Sequence, residues 1–192
     1  MKNILVINGH PNSSSFCSAL AEAYAKGALA AEHKVETISV ADLEFNYNQM
    51  NGLKAGQELE PDLQMAQQKL IWANHIVVVH PVWWGSVPAA LKAFFDRVLL
   101  SGFAFKYKEK GPWWDKLLKG RSARIIYTSD TPSWFYKWIY GAPSVNQIKK
   151  RTLEFCGITP VKVSAIGELR FLNEQQRKAW LLKVEALGRL AN

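Results

Sequence analysis

The chain has 192 residues, of which 48% are hydrophobic and 21% are charged, so its length and composition are those of a globular protein with one core. We therefore expect a single domain over residues 1–192. The formal net charge of +8 favours anionic ligands or partners and is concentrated in residues 106–124, although a basic surface that is only solvated is the alternative.

Three further features limit the class of protein. Residues 70–91 contain no Asp, Glu, Lys or Arg, but Asn, Pro and Gly interrupt them, so this stretch predicts a buried strand with its loops and not a transmembrane helix. The apolar run at residues 4–7 is too short for a signal peptide, and we expect a cytoplasmic protein. Cys17 and Cys156 have no metal-ligand spacing, so we expect reduced cysteines and no metal site.

Predicted strands and helices alternate along the chain. The strands are expected at residues 2–8, 34–40, 76–79, 123–128 and 160–166, and the helices begin near Phe16, Pro61, Pro88, Asn146 and Asn173. Residues 41–60 predict a loop, and the basic, aromatic residues 103–120 predict a lid or an interface. This alternation indicates an α/β fold, with a five-stranded parallel sheet in the order 2-1-3-4-5 and helices on both faces.

Three loops leave the predicted sheet at its carboxyl edge. Residues 9–15 are rich in hydroxyl groups and open a helix, which suits a phosphate, although N-capping by serine is the simpler alternative. Neither G-x-x-x-x-G-K-[ST] nor G-x-G-x-x-G is present, so a nucleotide triphosphatase or a dinucleotide Rossmann site has no support. Residues 81–88 carry Trp83 and Trp84 and no charge, which suits a flat ligand; two indoles that cap the core are the alternative.

The third loop and the segment after it are polar and aromatic, respectively. Residues 128–132 can form hydrogen bonds to the edge of a heteroaromatic ring. Five aromatic residues between Trp134 and Tyr140 exceed what a buried helix face needs, so we expect some of them to border a ligand or a partner subunit. Packing of this segment on the core is the alternative.

Two motifs resemble the flavodoxin-like NAD(P)H:quinone oxidoreductases, a family that includes DT-diaphorase and ancillary subunits of bacterial potassium-efflux systems. They are Asn8-Gly9-His10-Pro11 with Ser14, Ser15 and Phe16, and His80-Pro81-Val82-Trp83-Trp84-Gly85-Ser86-Val87-Pro88-Ala89-Ala90-Leu91-Lys92 followed by residues 94–98 and 102–104. The resemblance extends from Lys2 through the fifth predicted strand. It implies a flavodoxin-like fold, an FMN cofactor (with FAD as the alternative), NAD(P)H as electron donor and two-electron reduction of a quinone-like acceptor. One open site, visited in turn by donor and acceptor, predicts ping-pong kinetics.

The resemblance also assigns residues to a flavin site. His10, Ser14, Phe16 and Cys17 would hold the flavin phosphate with Ser15 of the same turn; Pro81, Val82, Trp83, Trp84 and Gly85 would flank the isoalloxazine; and Thr128, Ser129 and Asp130 would meet its pyrimidine edge. The family commonly carries Thr-Thr-Gly-Gly in this last loop, where the chain has Thr128-Ser129-Asp130-Thr131-Pro132. Tyr136 matches a tyrosine of the family and Tyr140 replaces its histidine, so both are predicted to be catalytic.

The partners follow from the same features. The aromatic segments predict a homodimer. The basic segment at residues 106–124 suggests an alternative function, that of a flavin-holding regulatory subunit docked on a membrane transport protein. Nucleic-acid binding is not expected, because no nucleic-acid-binding motif accompanies the charge.

Overall fold

A five-stranded parallel sheet forms the centre of the computed structural model, which describes residues 1–54, 56 and 58–192. The described residues form seven strands: β1 (Asn3–Asn8), β2 (Lys34–Ser39), β3 (His75–Pro81), β4 (Phe105–Tyr107), β5 (Trp114–Lys116), β6 (Ser122–Thr128) and β7 (Val161–Ile166). Of these, β4 and β5 lie outside the five-stranded sheet. The helices are α1 (Phe16–Ala30), α2 (Pro61–Trp72), α3 (Ala89–Val98), α4 (Ser133–Trp138), α5 (Pro143–Ile148), α6 (Glu154–Cys156) and α7 (Glu174–Leu190), and a π-helical segment (Lys149–Leu153) joins α5 to α6.

The sheet order is β2-β1-β3-β6-β7, which is the predicted order 2-1-3-4-5 when only the strands of this sheet are numbered. Every neighbouring pair is parallel. The whole of β3 is buried, as its apolar, β-branched sequence predicts for a strand covered on both faces. The predicted flavodoxin-like α/β fold is therefore confirmed.

Alternate residues of the strands belong to two cores, one on each face of the sheet. Leu5 and Val78 pack against α2 and α3 on one face, while Val6 and Val79 pack against α1 and α7 on the other. Two of these helices bury residues at helical spacing. They are Leu63, Ala66, Leu70 and Ala73 in and just after α2, and Leu91, Phe94, Phe95, Val98 and Leu99 in and just after α3.

Two helix ends have defined caps. Asn173 caps α7 in a capping box with Gln176, in which each side chain accepts from the other residue's backbone N–H at 2.9 Å. Gly157 ends α6 with a φ of 101°, a conformation that glycine adopts without a steric cost. Within the described residues, no helix combines the length and the apolar character needed to cross a membrane.

Residues 105–116 form an antiparallel hairpin, β4 and β5, which the sequence did not predict. The indole of Trp114 stacks on Phe155 with 4.3 Å between ring centroids, and its N–H donates to the backbone oxygen of Phe155 at 2.9 Å. Phe105 is buried in the same core. The base of the hairpin is thus attached to the domain, while its Lys106, Lys108 and Lys110 are exposed.

Candidate flavin site

Three loops meet at the carboxyl edge of the sheet because the strand ladders continue into them. The N–H of Gly9 donates to Val79 O, and the N–H of Val82 donates to Thr128 O, both at 2.7 Å. These two bonds join the end of β1 to β3 and the end of β3 to β6, so the loops that follow these strands begin side by side. The convergence expected from the sequence is therefore present in the structure.

Two side-chain contacts connect the first loop to the other two. The rings of His10 and Trp83 meet edge to face with 5.5 Å between centroids. Cys17 Sγ lies 3.4 Å from Thr128 Oγ1, and both residues are buried. The sequence-predicted phosphate residues and ring residues consequently belong to one continuous region.

The first loop leads into the N-terminus of α1. Ser15 is the N-cap and its Oγ accepts from the N–H of Ser18 at 3.2 Å, so the simpler N-capping role is present. The first turn carries no acidic residue, and the N–H groups of Phe16 and Cys17 precede the point at which intrahelical bonds begin. These N–H groups lie at the positive end of the helix dipole, so the same turn also suits a phosphate.

The thiol of Cys17 carries no negative charge that would repel an anion at this helix end. Burial raises the pKa of Cys17 to about 11, and the hydrogen bond with Thr128 lowers it only in part. The group is a neutral thiol near pH 7, because its pKa lies far above that pH. The guanidinium of Arg177 adds positive charge nearby, lying 5.3 Å from the ring centroid of Phe16.

The ring of His10 is oriented by its own loop. His10 Nδ1 lies 3.0 Å from the backbone nitrogen of Asn12 and 3.1 Å from its carbonyl oxygen, so Asn12 holds the ring in either neutral tautomer. Burial lowers the pKa of His10, and the backbone contact with Asn12 opposes this only in part. Asn12 therefore orients a neutral imidazole beside the phosphate-type cradle.

The second loop contains a tight turn at residues 83–86. Trp83 N–H donates to Ser86 O at 3.0 Å, and Ser86 N–H donates to Trp83 O at 2.9 Å. Both central residues have positive φ, 51° at Trp84 and 75° at Gly85, as in type I′ turns. For a bulky residue such as Trp this conformation is an outlier and costs about 1–2 kcal/mol.

The indoles do not cap the core. Trp84 is 105% exposed and Trp83 is 44% exposed, so the core alternative is wrong for both side chains. Among the described residues, the N–H groups of Trp84 and Gly85 donate to no other group. The turn thus offers an uncovered indole and two donors.

The third loop is held by the turn that follows β7. The N–H of Leu169 donates to Ser129 O at 3.0 Å, and the N–H of Arg170 donates to Asp130 Oδ1 at 3.0 Å. Ser129 Oγ donates to Thr131 O at 2.8 Å, which closes the loop on itself. The carboxylate of Asp130 is therefore fixed in position but retains its second oxygen for another partner.

A cavity of about 550 Å³ lies between the second and third loops. It is lined by Val82, Trp84, Gly85, Ser129, Asp130, Thr131, Tyr136, Tyr140 and Pro143. This volume is in the usual range for small-molecule and cofactor sites. Several residues predicted for the flavin site do not line this cavity: His10, Ser14, Ser15, Phe16, Cys17, Pro81, Trp83 and Thr128. Of these, Trp83 and Thr128 contact the first loop and so join it to the loops that line the cavity.

The two tyrosines predicted to be catalytic differ in environment. Tyr140 is 58% exposed at the rim of the cavity, whereas Tyr136 is 1% exposed. The hydroxyl of Tyr136 donates to Gly85 O at 3.0 Å and lies 2.6 Å from Ser144 Oγ. Burial raises the pKa of Tyr136, and its hydrogen bonds to Ser144 lower the pKa only in part.

Three polar residues at the site had no signal in the sequence. Ser144 and Gln147 occupy one face of α5, and Gln147 Oε1 accepts from Ser86 Oγ at 3.1 Å. Arg177 belongs to α7, far along the chain from the loop that it approaches. Their roles depend on the packing of distant elements, which no local pattern reveals.

A parallel five-stranded sheet with a helix N-terminus and an aromatic turn at its carboxyl edge defines a flavodoxin-like protein. The family model described as having a flavodoxin-like fold matches residues 2–187, and the chain belongs to that family. This confirms the resemblance and the fold expected from it.

Individual relatives agree with this assignment. The chain is 30% identical to the "Uncharacterized NAD(P)H oxidoreductase" of Haemophilus influenzae, over 93% of this chain and 90% of that protein. It is 28% identical to the FMN-dependent NADH:quinone oxidoreductase 2 of Bacillus cereus, over 98% of this chain and 96% of the relative. The crystal structure of Smu.1420 from Streptococcus mutans UA159 is 29% identical and superposes with a TM-score of 0.80, covering 98% of this chain and 99% of the other.

Proposed function

We propose that this protein is an FMN-dependent NAD(P)H oxidoreductase that reduces quinone-like acceptors by two electrons. The observation that carries the proposal is the cavity between Trp84 and Asp130, which adjoins a phosphate-type cradle at the N-terminus of α1. Relatives over nearly the whole chain are named NAD(P)H oxidoreductase and FMN-dependent NADH:quinone oxidoreductase, which supports the donor and the cofactor.

The residues present fit a flavin mononucleotide. The cradle has no acidic group in the first turn of α1, a neutral Cys17 thiol and the Arg177 cation nearby, all of which favour a phosphate. The cavity beside it has an exposed indole and free N–H groups at Trp84 and Gly85, which suit a flat ring with acceptor atoms on its edge. When bound, FMN supplies the two-electron redox chemistry.

Each loop then has a separate task. His10, Ser14, Ser15, Phe16 and Cys17 hold the phosphate; Pro81, Val82, Trp83, Trp84 and Gly85 flank the ring; and Thr128, Ser129 and Asp130 meet its pyrimidine edge. Asp130 retains one carboxylate oxygen that accepts from an N–H of the ligand. Tyr140 at the cavity rim is the exposed candidate for donating a hydrogen bond to bound acceptor.

The balanced reaction is NAD(P)H plus a proton plus quinone giving NAD(P)⁺ plus hydroquinone. A single cavity serves donor and acceptor in this proposal, so the oxidised donor leaves before the acceptor enters and the kinetics are ping-pong. In this proposal His10 and Tyr140 orient the ligands by hydrogen bonding and do not take part in the hydride transfer.

Purification of the full chain with and without added FMN tests this function. We expect a yellow protein whose visible absorbance bleaches with NADH or NADPH and returns on adding a short-chain quinone. Mass spectrometry of the released flavin distinguishes FMN from FAD. A protein that binds neither flavin at micromolar concentration, or that binds one without bleaching, contradicts the proposal.

A homodimer is part of the proposal because an aromatic surface lies beside the cavity. Trp134, Trp138, Ile139 and Tyr140 are all more than half exposed on and after α4. Clusters of exposed aromatic residues of this kind mark interaction sites more often than free surface. Light scattering at micromolar concentration should give twice the 21.7 kDa chain mass, and a monomer would refute the dimer.

The basic hairpin supports a second candidate function, that of a cytoplasmic flavin-holding subunit docked on a membrane transport protein. Lys106, Lys108 and Lys110 are exposed on the hairpin and Trp113 beside them is 68% exposed. Charge reversal of the three lysines should abolish salt-sensitive association with such a partner and leave quinone reduction intact. Unchanged association in that variant would remove the support for this candidate.

A further inference from the structure

The carbonyl of Gly85 is held by two groups from another part of the chain. Tyr136 Oη donates to it at 3.0 Å, and the backbone N–H of Ser144 points to it at 3.1 Å. The same N–H lies 2.9 Å from Tyr136 Oη, and Ser144 Oγ lies 2.6 Å from that oxygen. Tyr136 and Ser144 are 1% and 0% exposed, so water does not compete for these bonds.

These bonds act on a strained turn of the site. Trp84 has a φ of 51°, and a non-glycine residue keeps such a conformation only when its surroundings enforce it. The turn's own two hydrogen bonds join Trp83 to Ser86, and the Gly85 carbonyl between them is fixed from outside. Gln147 supports the same turn through Ser86 Oγ, so α5 holds two of its residues.

We propose that Tyr136 and Ser144 are positioning residues that clamp Gly85 and thereby fix the Trp84–Gly85 turn for flavin binding. The inference rests on the proposed function and adds one residue to it, Ser144, which is not among the residues that line the cavity. It also gives Tyr136 a different task. The Gly85 carbonyl belongs to the Gly85–Ser86 peptide, and Trp83 O, which accepts from Ser86 N–H, belongs to the Trp83–Trp84 peptide. Holding the carbonyl therefore restrains the turn on both sides of the Trp84–Gly85 peptide. The N–H groups of Trp84 and Gly85, which donate to no group among the described residues, are thereby oriented before the ligand arrives. Donors fixed in advance bind more tightly, because no conformational freedom is lost on binding.

The hydroxyl of Tyr136 makes its hydrogen bonds within the protein. Its hydroxyl proton is directed to Gly85 O and its oxygen accepts from Ser144, so the hydroxyl has no proton left for a ligand. The tyrosine therefore acts through the turn, while Tyr140 is the one with an exposed hydroxyl.

The test compares Tyr136→Phe with Tyr24→Phe as a matched control. Tyr24 is also fully buried, and its hydroxyl lies 3.0 Å from His75 Nε2, but His75 begins β3 at the edge of the sheet opposite to the site. Both variants lose a buried hydrogen bond and should lose similar stability. Only Tyr136→Phe should weaken FMN binding, by about tenfold in Kd measured by flavin fluorescence quenching.

Two further measurements separate the clamp from general loosening. Ser144→Ala should raise the Kd for FMN by a smaller factor than Tyr136→Phe does. The double variant should raise it by less than the product of the two single factors, because both side chains act through the Gly85 carbonyl. In flavin-free protein, the Trp83 and Ser86 amides should exchange hydrogen faster in Tyr136→Phe and at the wild-type rate in Tyr24→Phe.

The outcomes separate the two proposals. Wild-type protein that fails to bind flavin refutes the proposed function, and the exchange experiment still reports on the clamp. If wild-type protein binds FMN and Tyr136→Phe binds it equally well, or if Tyr24→Phe weakens it as much, the clamp is refuted while the function stands. Equal amide exchange in both variants also overturns it.

Discussion

Replacement of Trp84 by Ala separates the role of the indole in binding from any role in folding. The side chain is fully exposed, so its removal takes no apolar area out of the core. The contribution of buried apolar area to the free energy of unfolding should therefore stay nearly unchanged. Ala keeps the same steric penalty at a φ of 51° as Trp does. The free energy of unfolding should therefore change by less than about 0.5 kcal/mol, as for other surface substitutions.

The effect on the cofactor should be larger. Stacking of a nucleic-acid base on an aromatic side chain is worth about 1–3 kcal/mol by alanine substitution, and a flavin ring against Trp84 belongs to the same class of contact. A rise of about tenfold in the Kd for FMN corresponds to about 1.4 kcal/mol, within that range. Titration of flavin fluorescence and urea unfolding of the same preparation measure the two quantities.

Two variants control this experiment. Trp84→Gly also removes the indole but relieves the left-handed conformation, so it should bind FMN weakly and be about 1 kcal/mol more stable than Trp84→Ala. Trp113→Ala removes another exposed indole, on the hairpin, and should change neither quantity. If Trp84→Ala unfolds the protein while its folded fraction keeps FMN at the wild-type affinity, the indole serves the fold and the reasoning is refuted.

Two further predictions concern stability. A Cβ on Gly27 would overlap the backbone oxygen of Glu185, so Gly27→Ala should push α1 away from α7. The free energy of unfolding measured with urea should fall by about 1–3 kcal/mol. A variant as stable as the wild-type protein would contradict this packing. Burial lowers the pKa of His75 to about 3 and of His80 to about 4, against 6.5 unperturbed. The unfolded chain therefore binds more protons below about pH 6.5, and stability should fall with decreasing pH by about 1.4 kcal/mol per unit for each histidine; equal stability at about pH 7 and about pH 5 would exclude this.

The fold was predictable because its signals are local. The apolar run of β3, the stripe of α2 and the capping box at Asn173 each depend on residues within one element, and their alternation leaves few topologies. The β4–β5 hairpin was missed for the opposite reason. Its strands have three residues each, and Trp114 is held by Phe155, which lies about forty residues further along the chain.

The site was predictable in outline and not in its bonding. Parallel strands bring their carboxyl ends together, so the three loops were expected to meet. Which hydroxyl holds which carbonyl depends on where α5 packs, and the sequence predicts a helix only from Asn146, after Ser144. Resemblance likewise matched Tyr136 by position, and gave no information on whether its hydroxyl faces a ligand or a backbone oxygen.

The turn at residues 83–86 conflicts with folding preference in two respects that share one explanation. Asn or Gly at position 84 would remove the left-handed strain, and a polar side chain there would avoid exposing an indole to water. Neither cost is offset by a contact of the indole within the core. In the proposed function, a flat ring bound on Trp84 would offset the exposure. The N–H groups of Trp84 and Gly85, which have no acceptor among the described residues, would donate to acceptor atoms on the edge of that ring. The buried bonds from Tyr136 and Ser144 then explain how the strained conformation persists before the ligand binds.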